Sequence, residues 1–411
     1  MADSDGLIAY DDALEIVLSH ATVSASETVG LDRLAGRVLA EPIRTPHEMP
    51  LFDNSAMDGY VLSAADAGDI SHATVLQVTD TIRAGDDPAD REVAPGRTMR
   101  IFTGAGVPNG AAAVVPQEDV VVKDGLVRVV GTVRMGQHIR RRGEEFRTGD
   151  MIVPAGMAAT PAVVAALAAA GVARAAVRMR PTVGLLVTGE ELVTPGETLA
   201  PGRIYECNSY GLTCALSEMG CPPDVRRSGD SPEGTRRALD ALLDTCDVVI
   251  TSGGVSVGEF DAVKPALADL GVEALFWGVA IKPGKPVYFG RRRAAGTAHG
   301  PVVFGLPGNP LAAMVTLYAL VRPWMLASLG IDGRPRRVAA RLAEAIRKKA
   351  GRMEFVPCVL RNGEAHPTSL RGSQMLGGLV TANALALFPA PATSLGTGDP
   401  ISVMPIDWRL R

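Results

Sequence analysis

The chain has little of what several classes of protein depend on. Only 4% of its 411 residues are aromatic, and its net charge of −4 leaves no basic excess for a nucleic-acid surface. Its five cysteines form no CxxC pair, which argues against structural zinc and favours buried free thiols in a reducing compartment. No GxGxxG joins a strand to a helix, so a dinucleotide-dependent oxidoreductase is disfavoured.

A membrane-spanning run is also missing. One long uncharged stretch, Met151–Ala173, is rich in alanine and contains Pro154 and Pro161. We instead predict a soluble helix that begins at Pro161 behind Thr160 and stops at Gly171. The first six residues are acidic and have no apolar signal core. We therefore expect a cytoplasmic protein that binds neither membrane nor nucleic acid.

The length predicts about two to four domains. Helical spacing of apolar residues predicts helices at Asp11–Ser19 and Val29–Leu39, and Pro161–Gly171 resumes helical character. The two helical parts are expected to pair across the residues between them and form a discontinuous first domain. Those residues read as a small all-β insertion. Its predicted strands are Thr74–Val78, Thr98–Phe102, Ala113–Gln117, Val120–Val122 and Leu126–Val130.

Strands and helices alternate between residues 181 and 327, which predicts a parallel sheet with helices on both faces. The predicted strands are Val183–Val187, Val225–Arg227, Asp247–Ile250, Val287–Phe289 and Val302–Leu306. The predicted helices are Ser209–Met219, Pro232–Leu243, Asp261–Leu270 and Pro310–Leu326, the last kinked at Pro323. A small β domain follows, with strands at Val338–Leu342, Phe355–Val359, Ala386–Phe388 and Ile401–Met404.

These patterns predict a multi-domain α/β fold with four domains. The expected boundaries are 7–49 with 141–179 for the discontinuous domain and 50–140 for the β-rich insertion. The parallel α/β domain is expected at 180–328, and the C-terminal β domain at 329–411.

The loop Thr251–Lys264 follows a predicted strand and opens a predicted helix. Gly253 and Gly254 let the backbone approach a ligand, and amides at a helix start favour an anion. Asp261, with Glu259 and Lys264, adds charge of both signs. The loop suits a phosphate beside a divalent cation, and a tight turn with polar edges is an equally good interpretation of this stretch alone.

Two further strand ends carry unusual residues, and in an open parallel sheet such ends share one crevice. They are Thr188–Glu191, which includes Gly189, and Gly305–Pro310, which includes Pro307 and Gly308. In the second, Asn309 is a natural N-cap and Pro310 a natural first helical residue. Together with Ser252 and Ser256 of the glycine loop, these ends predict a ligand-binding crevice.

Basic residues in two other motifs suit an oxyanion. Lys282 and Lys285 lie on a stiff Pro/Gly frame, and a pair of fixed cations suits phosphate. Arg140–Arg142 form a run that would clamp phosphate if it lay beside an anionic ligand, although such runs are usually solvated edges. In the insertion, Asp53 and Asp58 are candidate acids, with an Asx turn as the alternative for Asp53.

Seven motifs in this order resemble the molybdopterin molybdenumtransferase family, which includes the MoeA proteins and the E domain of gephyrin. The resemblance runs from about residue 10 to about residue 405. The motifs are Asp53–Tyr60, Thr103–Pro108, Arg140–Glu145, Thr188–Glu191, Thr251–Lys264, Lys282–Pro286 and Gly305–Pro310.

The resemblance implies an elongated homodimer whose α/β domain binds molybdopterin. It implies that adenylylated molybdopterin and molybdate are the substrates, that Mg²⁺ assists cleavage of the adenylate, and that AMP leaves. The cleft would lie between the α/β domain of one subunit and the insertion of the other. A molybdopterin adenylyltransferase and recipient molybdoenzymes are the further partners it implies.

Family functional positions carried over by motif are Asp58, Thr103, Glu191, Asp230, Asp261, Lys282, Lys285 and Ser373. By this resemblance, Glu191 and Asp261 are the carboxylates near the metal, and Asp58 acts from across the dimer. Lys282 and Lys285 would hold molybdate or phosphate, and Ser373 would contribute from the C-terminal domain.

Three positions depart from the family pattern. Glu145 stands where an aspartate is usual, and Gly278 and Pro357 stand where relatives often have cations. These losses keep two alternatives open: a paralogue with altered catalysis, and a gephyrin-type scaffold that binds a partner at the dimer. A stand-alone adenylyltransferase is the third alternative, but it would need only about 150 residues.

Overall fold

The structure is a computed structural model that describes residues 6–229, 231–254, 262–293, 300–369 and 372–410. Within these residues the chain forms three six-stranded sheets and a smaller N-terminal unit built from two segments.

The N-terminal unit joins residues before and after the insertion through strands. Ser26–Gly30 pairs antiparallel with Arg174–Arg178, and Ile43–Arg44 pairs with Met151–Val153. The helix Pro161–Ala169 completes this unit, and the side chain of its N-cap Thr160 accepts a hydrogen bond from the backbone. The predicted pairing across the insertion is therefore made by strands rather than by helices.

The predicted helix at Val29–Leu39 is wrong. A strand ends at Gly30, a single 3₁₀ turn occupies Leu31–Arg33, and Gly36 has a φ of +71° that no α-helix accepts. The apolar residues that suggested a helix are buried among strands and the helix at 161–169 instead. The helix predicted at Asp11–Ser19 is present as Tyr10–Ser19, and it packs against the α/β core.

The insertion is a mostly antiparallel six-stranded sheet, and all five strands predicted there are present. In spatial order its strands are Ala111–Pro116, Gly59–Ser63, Arg97–Ile101, Gly68–Ile82, Leu126–Val133 and Val120–Lys123. A separate short ribbon pairs Asn54–Ser55 with Ile139–Arg140, where the chain enters and leaves the insertion. A 3₁₀ turn at Gln117–Asp119 links two strands.

The central sheet has four parallel strands, extended by two antiparallel strands on one side. In spatial order the strands are Asp224–Ser228, Val183–Thr188, Val248–Ser252, Val302–Leu306, Tyr288–Arg292 and Val272–Trp277. The helices of this segment are Asn208–Glu218, Pro232–Leu243, Val263–Asp269, Pro310–Thr316 and Arg322–Ser328. A two-stranded parallel ribbon, Leu192–Val193 with Ile204–Tyr205, lies outside the sheet.

Alternate residues of the parallel strands face opposite helical layers. Val248 and Ile250 pack with the helices at 208–218 and 310–328, whereas Val249 packs with those at 232–243 and 263–269. Burial on both faces explains why these strands read as continuous apolar runs. The register aligns Thr188 with Ser228, and Ser252 with Leu306, so the strands end at the same edge.

The C-terminal β domain closes into a barrel, because the long strand Met353–Arg361 pairs with Glu364–Pro367 on one side and with Ala384–Phe388, the last strand of the order, on the other. The other barrel strands are Glu364–Pro367, Val338–Leu342, Pro400–Pro405 and Ala384–Phe388. Ile346–Arg347 pairs with Ser394–Leu395, and Gly377–Val380 forms a short helix. The strand Ile281–Lys282, from the α/β segment, pairs with the barrel at Met353–Glu354.

The apolar run Pro310–Ser328 is one helical stretch with a π turn, Leu317–Val321, just before Pro323. A proline cannot donate a backbone hydrogen bond, and a wider turn before it accommodates that loss. Within the described residues it alone has the length and composition to cross a membrane, but 89% of its most apolar 18-residue part is buried in the protein. Such burial is typical of a core helix.

The cysteines are all free, but the expectation that they are buried holds for only two of them. Cys221 and Cys358 are buried, Cys246 is half-buried, and Cys207 and Cys214 are exposed. Burial raises the pKa of the Cys221 and Cys358 thiols to about 12.

Candidate active site

Three strand ends of the central sheet lie in direct contact. Gly253 and Gly254 have φ values of +89° and +67°, which place their backbone against Thr188. A methyl group added at Gly253 would lie 3.1 Å from both oxygens of Thr188. Gly308 lies against Gly253, whose amide donates to the Leu306 carbonyl at 3.2 Å. The predicted crevice is therefore present, and glycine is needed there because the loops approach so closely.

These loops line a cavity of about 820 Å³. Its walls include Thr188, Gly189, Glu191, Ser252, Gly253, Gly254, Lys282, Lys285, Pro307, Gly308, Asn309, Pro310 and Ser373, all predicted site residues. Arg352, a further cation near Pro357, also lines the cavity, and so do polar residues that the sequence did not mark: Tyr205, Glu206, Cys207, Asn208 and Gln374. A cavity of this size fits a nucleotide-sized ligand.

Asn208 connects two of the three strand ends. Its Nδ2 donates to Ser252 Oγ at 2.8 Å and to the Gly308 carbonyl at 2.7 Å. One half-buried amide thus fixes the distance between the second and third loops. The residue was missed because the strand before it, Ile204–Tyr205, has only two residues and shows no periodicity.

Glu206 is a buried carboxylate in the cavity wall, with 1% of its surface exposed. It accepts hydrogen bonds from the Ser209 amide at 2.7 Å and from the Ser209 hydroxyl. Arg227 Nη2 pairs with the same carboxylate at 3.2 Å. A buried charge is tolerated only with such partners, so Glu206 secures the start of the helix at Asn208–Glu218.

Cations and the C-terminal domain form the opposite wall. Lys282 Nζ lies 3.0 Å from Glu354 Oε1, and Arg352 lies on the same segment of the barrel. Asn309 Nδ2 donates to Ser373 Oγ at 3.2 Å, which joins the third strand end to the C-terminal domain. The cavity therefore lies between the central sheet and the barrel.

Glu191 is the predicted metal-binding carboxylate that the structure describes at the cavity. Its side chain folds over Gly189, where an added methyl group would come within 2.8 Å of the carboxylate. Asp230, Ser256 and Asp261, also predicted site residues, lie outside the described residues. Among the residues that are described, no group of three His, Cys, Asp or Glu side chains could hold a metal.

Asp58, a candidate acid of the insertion, forms a second polar site with Thr103, outside the cavity wall. The Thr103 amide and hydroxyl donate to Asp58 Oδ1 at 2.7 and 2.8 Å. These bonds, the backbone one first, hold the pKa of Asp58 below its usual value. The cavity of the same chain does not include either residue.

The arginine run is engaged within the insertion and its neighbours. Arg141 Nη1 pairs with Asp53 at 2.6 Å, and Arg142 pairs with Glu48. Arg140 lies in the short ribbon at the base of the insertion, is exposed and does not line the cavity. The structure therefore brings none of the three arginines to the cavity of its own chain.

All three departures from the family pattern, Glu145, Gly278 and Pro357, lie away from the cavity wall. Gly278 has a φ of +85°, and a methyl group there would contact Leu7 at 2.8 Å. Pro357 is buried in a barrel strand, where its carbonyl accepts from the Thr368 amide at 2.9 Å. Arg352, by contrast, lines the cavity and supplies a cation just before the same strand begins.

Three family descriptions match the chain in succession. They are "MoeA N-terminal region (domain I and II)" over residues 8–171, "Probable molybdopterin binding domain" over 184–327, and "MoeA C-terminal region (domain IV)" over 339–406.

Named relatives and a solved structure agree with these matches. A molybdopterin molybdenumtransferase of Haemophilus influenzae is 34% identical, and the match covers 93% of this chain and 94% of the relative. A molybdopterin molybdenumtransferase 2 of Mycobacterium tuberculosis is 36% identical over 92% and 94%. The crystal structure of a molybdopterin biosynthesis MoeA protein from Pyrococcus horikoshii matches with a TM-score of 0.81 and 29% identity, over 97% and 100%. The chain belongs to the MoeA family of molybdopterin molybdenumtransferases.

Proposed function

We propose that this protein is an enzyme of molybdenum cofactor biosynthesis that inserts molybdenum from molybdate into adenylylated molybdopterin and releases AMP. The observation that carries the proposal is the cavity between the central sheet and the barrel. It combines close-approach backbone at Gly253 and Gly308 with the cations Lys282, Lys285 and Arg352. Backbone and ammonium or guanidinium groups of this kind suit oxyanions, and both substrates are oxyanions.

In this cavity the side chains have distinct tasks. The two lysines and Arg352 would bind molybdate and the phosphates of the adenylate. Asn208 would hold Ser252 and Gly308 at a fixed separation, so that the loops keep their shape around the ligand. Ser373, bonded to Asn309, would bring the C-terminal domain against the substrate.

The donor set fits Mg²⁺ held jointly with substrate. Mg²⁺ keeps several waters and is usually bound by one or two carboxylates plus substrate phosphates. Glu191 at the cavity meets that requirement, and Asp261 is the second carboxylate we propose. When bound, the ion would neutralise negative charge on the phosphates.

We also propose that the active form is a homodimer. Asp58 and Thr103 are hydrogen-bonded to each other but lie outside the cavity of their own chain. A second copy would bring this pair to the cavity, and most oligomers of a single chain are symmetric dimers.

The test is single-turnover release of AMP from molybdopterin-adenylate with Mg²⁺, at several molybdate concentrations. Saturation at low molybdate is the expected result. Glu191→Gln should slow the release by at least about tenfold, because a metal-binding charge is lost. Glu190→Gln, one residue away and outside the cavity wall, is the matched control and should behave like the unmodified protein.

Two outcomes would overturn the assignment. Tight binding of the adenylate without AMP release favours the scaffold, and release only at very high molybdate favours an altered paralogue. For the dimer, mixing inactive Asp58→Asn and Lys282→Met chains should restore about a quarter of the activity, since half of the pairs are mixed and carry one intact site. Failure to restore activity in confirmed mixed dimers would refute the shared site.

A further inference from the structure

Glu354 is a buried carboxylate that belongs to the barrel but contacts the cavity wall. Only 6% of its surface is exposed. Its Oε1 lies 3.0 Å from Lys282 Nζ, while its Oε2 is buried without a hydrogen-bond partner among the described residues. Burying a carboxylate costs free energy, and a half-satisfied one costs more. A buried carboxylate that costs stability in this way is a candidate for a functional role.

The backbone, rather than the flexible side chains, sets the contact between Glu354 and Lys282. The two residues are register partners in the parallel pairing of Ile281–Lys282 with the barrel. The Met353 amide donates to the Ala280 carbonyl at 2.9 Å and fixes this register. A lysine alone has a flexible stem and would sample several positions. Here the backbone pairing between the two strands places the Glu354 carboxylate next to the Lys282 ammonium group.

The surroundings of Glu354 are basic. Lys348 Nζ donates to the carbonyls of Arg352 and Ala390 at 3.0 Å each. Burial lowers the pKa of Lys348, and the charge of Glu354 opposes that shift. Arg352 lies on the same segment and lines the cavity. Glu354 is thus a buried acceptor near three cations, two of which, Lys282 and Arg352, line the cavity.

We propose that Glu354 is a positioning residue that holds Lys282 Nζ at the cavity wall for oxyanion binding. An ammonium group has three donors, so one bond to Glu354 leaves two for the ligand. The proposal deepens the proposed function, on which it rests for the identity of the oxyanion. It also makes the barrel a part of the oxyanion site, although Lys282 itself comes from the α/β segment.

Kinetics with two variants separate positioning from mere stability. Glu354→Met keeps the size but removes the acceptor, and it should raise the KM for molybdate about tenfold. Glu354→Gln keeps an acceptor for Lys282 and should stay within about twofold of the unmodified protein. Because Lys285 and Arg352 stay in place for the phosphates, the KM for molybdopterin-adenylate should change less than the KM for molybdate. Equal molybdate KM values for Glu354→Met and the unmodified protein, or equal damage in both variants, would overturn the proposal.

A double-mutant cycle tests whether Glu354 acts through Lys282. If it does, Glu354→Met should add no further loss of molybdate affinity, measured by equilibrium binding of molybdate, to a Lys282→Met chain. Additive losses would show that Glu354 acts by another route and would refute the proposal.

A readout without substrate keeps the inference separate from the proposed function. Mild acetylation followed by peptide mass spectrometry compares the reactivity of Lys282 with that of Lys285 in the same chain. The Lys282/Lys285 ratio should rise several-fold in Glu354→Met and not in Glu354→Gln. If the ratio rises in Glu354→Met but the unmodified protein releases no AMP, the proposed function is refuted and the positioning role is retained. An unchanged ratio would overturn the positioning role alone.

Discussion

Replacing Asn208 with alanine should loosen the cavity more than it destabilises the protein. The substitution removes two hydrogen bonds, to Ser252 Oγ at 2.8 Å and to the Gly308 carbonyl at 2.7 Å. Each such bond contributes about 0.5–1.5 kcal/mol, and water can enter an open cavity to replace part of it. We therefore expect a loss of about 1–2 kcal/mol in the free energy that keeps the loops in register, or about 5- to 30-fold in AMP release.

Two further variants sharpen this prediction. Asn208→Asp has the same shape, but a carboxylate cannot donate to the Gly308 carbonyl and would repel it, so this variant should be at least as slow as the alanine. Asn109→Ala removes a comparable bond, 3.0 Å to the Ala89 carbonyl in the insertion, and should leave AMP release unchanged. AMP release within twofold of normal in both Asn208 variants would refute the idea that this amide sets the loop spacing.

Three other expectations can be checked on the purified protein. Gly254→Ala places a methyl group 2.4 Å from a valine side chain at a positive φ, so urea unfolding should show a loss of about 2–4 kcal/mol. Gly96→Ala, with a similar φ but open space, should lose only about 1 kcal/mol, and equal losses would contradict the steric argument. Thr103→Val keeps the amide but not the hydroxyl, so the lowered pKa of Asp58 should rise part of the way toward its usual value in an NMR titration. The Asp58 carboxylate stabilises the fold at pH values above its unfolded pKa, and this contribution is lost as pH falls through its folded pKa. An unchanged Asp58 pKa in Thr103→Val would refute the role of the hydroxyl. Because the pKa of the Cys221 thiol is about 12, the contribution of this thiol to stability is complete below about pH 9 and is lost as pH rises toward 12. Cys221→Ala should therefore make the free energy of unfolding fall less steeply over this pH range. An unchanged slope would contradict the prediction.

The α/β segment was the part of the fold most open to prediction from sequence. Its strands are buried on both faces and read as unbroken apolar runs, and its helices carry strong start signals. The helix predicted at Pro232–Leu243 is present with those bounds, with Ser231 as its cap. The edge strand Val272–Trp277 was not predicted, because its exposed positions dilute the apolar pattern.

The N-terminal unit shows where periodicity misleads. Apolar residues at 29, 34, 38 and 39 fit a helix as well as they fit short strands and turns. The deciding facts are non-local, since Ser26–Gly30 pairs with a strand some 150 residues later in the chain. Gly36 was the local sign against a helix, because glycine readily adopts positive φ and weakens a helix.

Site residues were predictable from the sequence where they directly follow a strand. They were not predictable where their role depends on a contact with a residue far away in the sequence. Thr188, Ser252 and Gly308 were found because strand ends of a parallel sheet converge. Glu206, Asn208 and Glu354 were missed, because nothing local marks them. Glu354 in particular is significant only through its register partner Lys282, which lies in another part of the chain.

The contacts around the cavity also show what the C-terminal domain adds to the α/β domain for the proposed reaction. The central sheet supplies the three loops, but Arg352, Ser373 and Gln374 of the wall come from the C-terminal domain. The strand Ile281–Lys282 pairs with the barrel, so the proposed oxyanion lysine is held by a domain to which it does not belong in sequence. A stand-alone α/β domain would keep the loops and lose this wall, together with the acceptor that holds the lysine. These contacts suit the proposed reaction, in which one oxyanion would bind on the three loops of the central sheet and a second would bind beside it, at the barrel side of the cavity.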